Sequence, residues 1–247
     1  MIEVRGTVAE PLPTAVVMAL VGLPGDALPL GEESAISGSV DMARSARGWT
    51  GTGRCHVERI DLAVASRHLP HRVTGEARVD VDLFDMARGR LTGCESRVGV
   101  SRGRVGQRLL DGLVTAVGCR PGPAYRSLAG DEVRTFDDVS ATLRIAEGFA
   151  DLRAGPGRGA AVARVGGLSM LDEPLARAPL DRLAWLMASP GSAALPATST
   201  AEWLLRWFPL APAPSGSGPA APDSPAADGR SRGPQDQAMR PGRRGEF

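Results

Sequence analysis

Apolar and polar residues alternate with period two over much of the chain. Between residues 72 and 85, RVTGEARVDVDLFD places Val73, Ala77, Val79, Val81 and Leu83 at odd positions. Thr74, Glu76, Arg78, Asp80 and Asp82 fall at even ones. Successive strand side chains point to opposite faces, so this stretch predicts one long strand with a dry face and a charged face. Similar alternation predicts strands at 2–8, 36–42, 91–105 and 135–146. Another is predicted at about 50–64, where the apolar phase slips from odd (Cys55, Val57) to even (Ile60, Leu62, Val64), so a bulge is expected near Glu58–Arg59. Glu147–Gly148 predicts a tight hairpin turn. Helical spacing or helix-end residues predict short helices at 13–22, 106–118, 178–189 and 201–210. From residue 211 the chain is Pro, Gly, Ser and Ala with little to bury, which predicts a disordered tail over 211–247 after a β-rich region over 1–210.

Composition narrows the chemistry. Of 247 residues, 43% are hydrophobic and 4% aromatic, so a core must be built from Val, Leu and Ala. All 29 basic residues are Arg, and the net charge is +1, which gives no reason to expect a nucleic-acid partner. The absence of Lys excludes a P-loop lysine, a Schiff base and a lysine general base. Cys55, Cys94 and Cys119 are sparse and odd in number, with no CxxC pair. The start lacks the pattern of a signal peptide, and no run of about 18 apolar residues is present.

Candidate chemistry is thin. Glu76, Asp80, Asp82 and Asp85 suit an acid–base or metal site, but a solvated strand face is the commoner origin of such a pattern. If 72–85 pairs with the return strand, Glu95 and Arg97 are expected near Arg78 and Glu76, giving cross-strand ion pairs and no substrate site. His68 and His71 flank a Pro-containing loop; a zinc site would need these or His56 brought to a cysteine by the fold. GPGRG at 155–159 lacks a phosphate loop's frame and its Lys-Ser/Thr ending. GLSML around Ser169 lacks the second Gly of a nucleophile elbow. Trp203, Trp207 and Phe208 in WLLRWF suit a membrane surface or partner contact, or the capping of an apolar sheet end.

A layout recurs through residues 36–170: ISGSVDMARSARGWTGTGR, HVERIDLAVASRHLPHRVTGEARVDVD, GRLTGCESRVGVSRGRVGQRLLDGL, then TFDDVSATLRIAEGFADLRAG. It resembles the C-terminal region of AsmA-like proteins of the bacterial envelope. The resemblance implies a cell-envelope or periplasmic protein without catalysis or cofactor, whose apolar sheet face handles lipid acyl chains in lipid transfer or outer-membrane assembly. Family members usually start with a membrane anchor and run longer, so the chain is expected to be a fragment, a truncated gene model or part of a split protein.

The expected architecture is mostly β: a long meandering antiparallel sheet, able to curl into an open groove, with two to four short helices. On this reading Val73, Val79, Val81, Leu83, Val98, Val100, Leu143 and Ile145 line the lipid face. Two alternatives stand beside it. One is a structural or scaffolding β-domain with a closed core; the other is a hydrolase or metal enzyme using the acidic strand.

Overall fold

The computed structural model describes residues 2–20, 29–67, 69–126 and 132–186. His68, the end of the 178–189 helix, the 201–210 helix with Trp203, Trp207 and Phe208, and the 211–247 tail lie outside the described residues. The described chain is dominated by one open antiparallel sheet. Strands β1 (Ile2–Pro13), β2 (Ala35–Ser45), β3 (Gly48–Asp61), β4 (Val73–Ala87) and β5 (Arg90–Gly106) follow one another as a meander. Helix α1 (Thr14–Leu20) joins β1 to β2. After β5 the chain leaves the sheet through α3 (Gln107–Gly112), a π-helical turn at Leu113–Val117 and the two-residue β6 (Arg120–Pro121). It returns as β7 (Val133–Ala146), which pairs with β5 along its length.

The other edge of β7 is shared. Its C-terminal half pairs with β8 (Phe149–Ala154), and Asp138–Val139 pair with β9 (Ala161–Val165). Strand β10 (Leu168–Asp172) pairs with β9 and carries β6 at its far side. The short β11 (Ala178–Pro179) pairs with β8 and leads into α4 (Leu180–Trp185).

Local chemistry explains most of the corners. Glu147–Gly148 turns the β7–β8 hairpin with both residues at positive φ, 54° and 80°. That is the two-residue turn whose twist matches the flanking strands. Arg88–Gly89 repeats it between β4 and β5. The expected bulge near Glu58–Arg59 is present: the β3–β4 register shifts between Val57 and Ile60, and Arg59 has φ 55°. The strand does not continue to 64 as expected. Asp61 Oδ1 accepts hydrogen bonds from the backbone N–H of Ala63 (2.8 Å) and Val64 (3.4 Å), which caps the single helical turn α2, Leu62–Ala65.

Two buried clusters lie on the apolar side. The larger gathers Val57, Ile60, Ala77, Val100, Val105 and Phe136 of the sheet with Leu110 and Val117 of the excursion and Met170 and Leu171 of β10. The smaller is Ile145, Ala150 and Leu180, beneath α4. Two aromatic rings replace missing side chains in the sheet. Phe136 lies opposite Gly103, and Phe84 opposite Gly53; a Cβ on either glycine would fall 2.5 or 2.4 Å from the facing ring.

A polar knot around the buried Gln107 fastens the excursion. Gln107 Nε2 and the Tyr125 hydroxyl both donate to Asp111 Oδ1, at 2.7 and 2.5 Å. Burial, with the hydrogen bond to and charge of Asp111, pushes the Tyr125 phenol up to about 12.

Candidate functional site

The registers fix which side chains share a face. Across the sheet, Ile36, Val57, Val79, Val98 and Ala141 are in line, pair by pair. The next row is Val8, Gly38, Cys55, Val81, Ser96 and Leu143. The third is Gly6, Val40, Gly53, Phe84, Cys94 and Ile145. A fourth runs Val4, Met42, Gly51 and Met86. This is one continuous face with almost no charge.

Its two halves differ in cover. Val100 and Ile145 are buried members of the two clusters, while Val73, Val79 and Val98 pack against the first and Leu143 against the second. Val8, Val40, Met42, Val81 and Phe84 are half-buried and Val4 is exposed, and none of them belongs to either cluster. Among the described residues these six positions form the open part of the face, whereas Val57, Ile60 and Ala77 of β3 and β4 belong to the larger cluster. The expected lining residues therefore divide: six are packed in or against a core and Val81 stays open.

Leu83 is a correction. A register shift between Val81 and Leu83 places Leu83 opposite Glu95 on the charged face, where it is 48% exposed. Phe84 takes the apolar position that alternation assigns to Leu83. One added residue inverts every later side chain, because the strand period is two. Phe84, Val40 and Met42 were the residues sequence reasoning missed for this face. Their signal was the pairing of Gly51 and Gly53 with Met42, Met86, Val40 and Phe84, which needs the register to be seen.

The charged face is more organised than a hydrated surface alone would require. His56 Nδ1 is 2.5 Å from Asp80 Oδ1, and His56 Nε2 is 3.6 Å from Glu58 Oε2. Arg97 donates to Asp82 at 2.6 Å. The expected pairing of Glu95 and Arg97 with Arg78 and Glu76 does not form: Arg97 faces Asp80, Arg78 faces Gly99, and Glu76 faces Ser101. Ser37, His56 and Asp80 stand in one row across β2, β3 and β4, and with Arg54 and Asp82 they line a shallow concavity. The Ser–His–acid order is that of a nucleophilic triad, which needs a hydrogen bond from the hydroxyl to the imidazole. Here no hydrogen bond joins Ser37 to His56, whose second nitrogen faces Glu58. The His56 and Asp80 side chains are about a third exposed, at 33% and 30%.

His71 is buried and its Nε2 meets the Leu186 carbonyl, so it is committed to holding the end of α4. Among the described residues no three His, Cys, Asp or Glu side chains are grouped to hold a metal ion.

The cysteines report on the apolar side. Cys55 and Cys94 lie on the sheet face flanking β4, and Cys119 is in the larger cluster. Burial, with smaller contributions from Cys94 and Asp80, pushes the Cys55 thiol from an ordinary 9.0 to about 11. Burial raises Cys119 likewise to about 11 and raises Cys94. Only the thiolate is nucleophilic, so a two-unit rise leaves about a hundredfold less of it near pH 8. Iodoacetamide at pH 8 is expected to alkylate Cys55 and Cys119 of the folded chain far more slowly than in urea, with rates climbing toward pH 11. Equal rates in both states, read by peptide mass spectrometry, would contradict this placement.

No family model, no curated protein and no solved structure matches the chain. No helix among the described residues is long and apolar enough to cross a membrane.

Proposed function

We propose that this chain is a non-enzymatic protein whose open apolar sheet face contacts lipid acyl chains, in the manner of the AsmA-like envelope proteins that its sequence layout resembles. One observation carries the reading: Val4, Val8, Val40, Met42, Val81 and Phe84 share a face and none is taken up by either buried cluster. Contiguous apolar surface of this kind on a folded protein marks a contact site. The contact is non-directional and roughly proportional to area, which suits flexible acyl chains. The reading places the protein in the cell envelope, with lipid as its partner and no cofactor.

Extraction and mass spectrometry of the purified chain tests it. The wild type is expected to carry phospholipid through purification. Val40→Glu/Val81→Glu puts two charges into the face, each costly to desolvate, and is expected to lower bound lipid several-fold. Thr52→Glu, on the opposite face, leaves it unchanged. A folded wild type that emerges free of lipid refutes the proposal and favours a purely structural β-domain.

A further inference from the structure

We propose that the edge of β1 that carries no strand among the described residues pairs, antiparallel and in one register, with β1 of a second copy of this chain. Strand β1 ends the sheet, and among the described residues β2 is its sole strand partner. Glu3 through Thr7 are all exposed. An open edge presents a row of unpaired N–H and C=O groups that can template another strand unless it is blunted by proline, bulges or a covering element. In β1 the prolines and the irregular pairing are confined to the far end, where Pro11 and Pro13 stand and the β1–β2 register breaks between Val8 and Leu12, and the near half carries only the opposite charges Glu3 and Arg5. From Ile2 to Val8 the strand pairs with β2 without interruption.

Face and charge select the register. Val4, Gly6 and Val8 share the apolar face of β2, while Glu3, Arg5 and Thr7 share the polar one. A two-fold pairing keeps these faces continuous and matches outward-pointing backbone groups in any register centred on a residue. Centring on Glu3 or on Arg5 sets like charges against each other. Centring on Gly6 brings no opposite charges together. Centring on Val4 places each Glu3 opposite Arg5 of the other copy and sets the two Val4 side chains face to face.

The side chains are exposed where those contacts would form. Val4 is 39% exposed. The Arg5 side chain is 82% exposed, and its Nε and Nη2 contact Asp41 Oδ2 at 3.0 and 2.7 Å, so Glu3 of a second copy would share this guanidinium with Asp41. Dimerisation would join two open apolar faces edge to edge, and it does not depend on whether lipid binds them.

Sedimentation velocity on the full chain over a range of concentrations tests the proposal. A reversible monomer–dimer equilibrium is expected. Glu3→Arg, which turns both cross-copy pairs into like charges, is expected to weaken it roughly tenfold. The swap Glu3→Arg/Arg5→Glu, made together with Asp41→Arg so that the β1–β2 ion pair is kept, restores the cross-copy pairs and recovers most of the association. Val4→Cys, oxidised gently, is expected to give a dimer linked through position 4 of both copies, identified by peptide mapping apart from Cys55, Cys94 and Cys119. A chain that stays monomeric at every concentration overturns the proposal. So does a dimer indifferent to Glu3→Arg with no position-4 link, which would place the contact elsewhere.

Discussion

Phe136→Ala is expected to destabilise the fold by about 3–5 kcal/mol, the range for removing a buried phenylalanine. Phe136 is buried in the larger cluster, where it joins β7 to the excursion that follows β5. Its ring also covers the strand at Gly103, where no side chain exists to fill the space. With only nine Phe and Trp residues in the chain, this core has few large groups to spread into the void. Cavity cost grows when neighbours cannot collapse, and the cluster here is Val, Leu and Met from the paired strands and the helical excursion. Urea unfolding followed by circular dichroism reads the effect as a lower midpoint with an unchanged slope. A loss below about 1 kcal/mol would show that the ring does not occupy this place.

Gly103→Ala is expected to cost about 3 kcal/mol, at the upper end for overpacking, and its nearest counterpart Gly53→Ala only about 1 kcal/mol. A Cβ at Gly103 would lie 2.1 Å from the Thr74 carbonyl oxygen, which is backbone held in the β4–β5 ladder. A Cβ at Gly53 meets chiefly the end of the Phe84 ring, at 2.4 and 2.5 Å, with the Ser39 carbonyl at 3.0 Å. A ring on the open face can swing away; a laddered carbonyl cannot. Phe84→Leu is therefore expected to suppress most of the Gly53→Ala effect. Phe136→Leu is expected to leave the Gly103→Ala loss in place. Suppression at both positions, measured as double-mutant cycles in urea, would contradict the stated origin of the clash.

The sequence was legible where period and punctuation agreed. Alternation from Val73 to Val81 and across Val139 to Ile145 placed the long strands, and the slip between Val57 and Ile60 located the Arg59 bulge. Three features were hidden for physical reasons. The bulge beside Leu83 leaves no trace in DVDLFD, because Leu83 and Phe84 are both apolar and either could face inward. The α2 turn reads as strand because Leu62 and Val64 fit a period of two, and only the Asp61 cap decides otherwise. The His56–Asp80 contact depends on the register of β3 against β4, which the bulges set. Alternation also assigns a face without saying what lies over it. Val81 and Val100 look alike in sequence, yet one is open and the other buried in the core.

That last distinction bears on function, since the proposed lipid contact rests on the uncovered part of the face. The most direct measurement is photocrosslinking of the full chain in vesicles of phosphatidylethanolamine and phosphatidylglycerol, each lipid bearing a diazirine in its acyl chain. Adducts mapped by peptide mass spectrometry are predicted on Val40, Met42, Val81 and Phe84. Adducts confined to the polar face, on Ser39, Arg54 or Asp82, or labelling spread evenly over both faces, would contradict acyl-chain contact through the open apolar side.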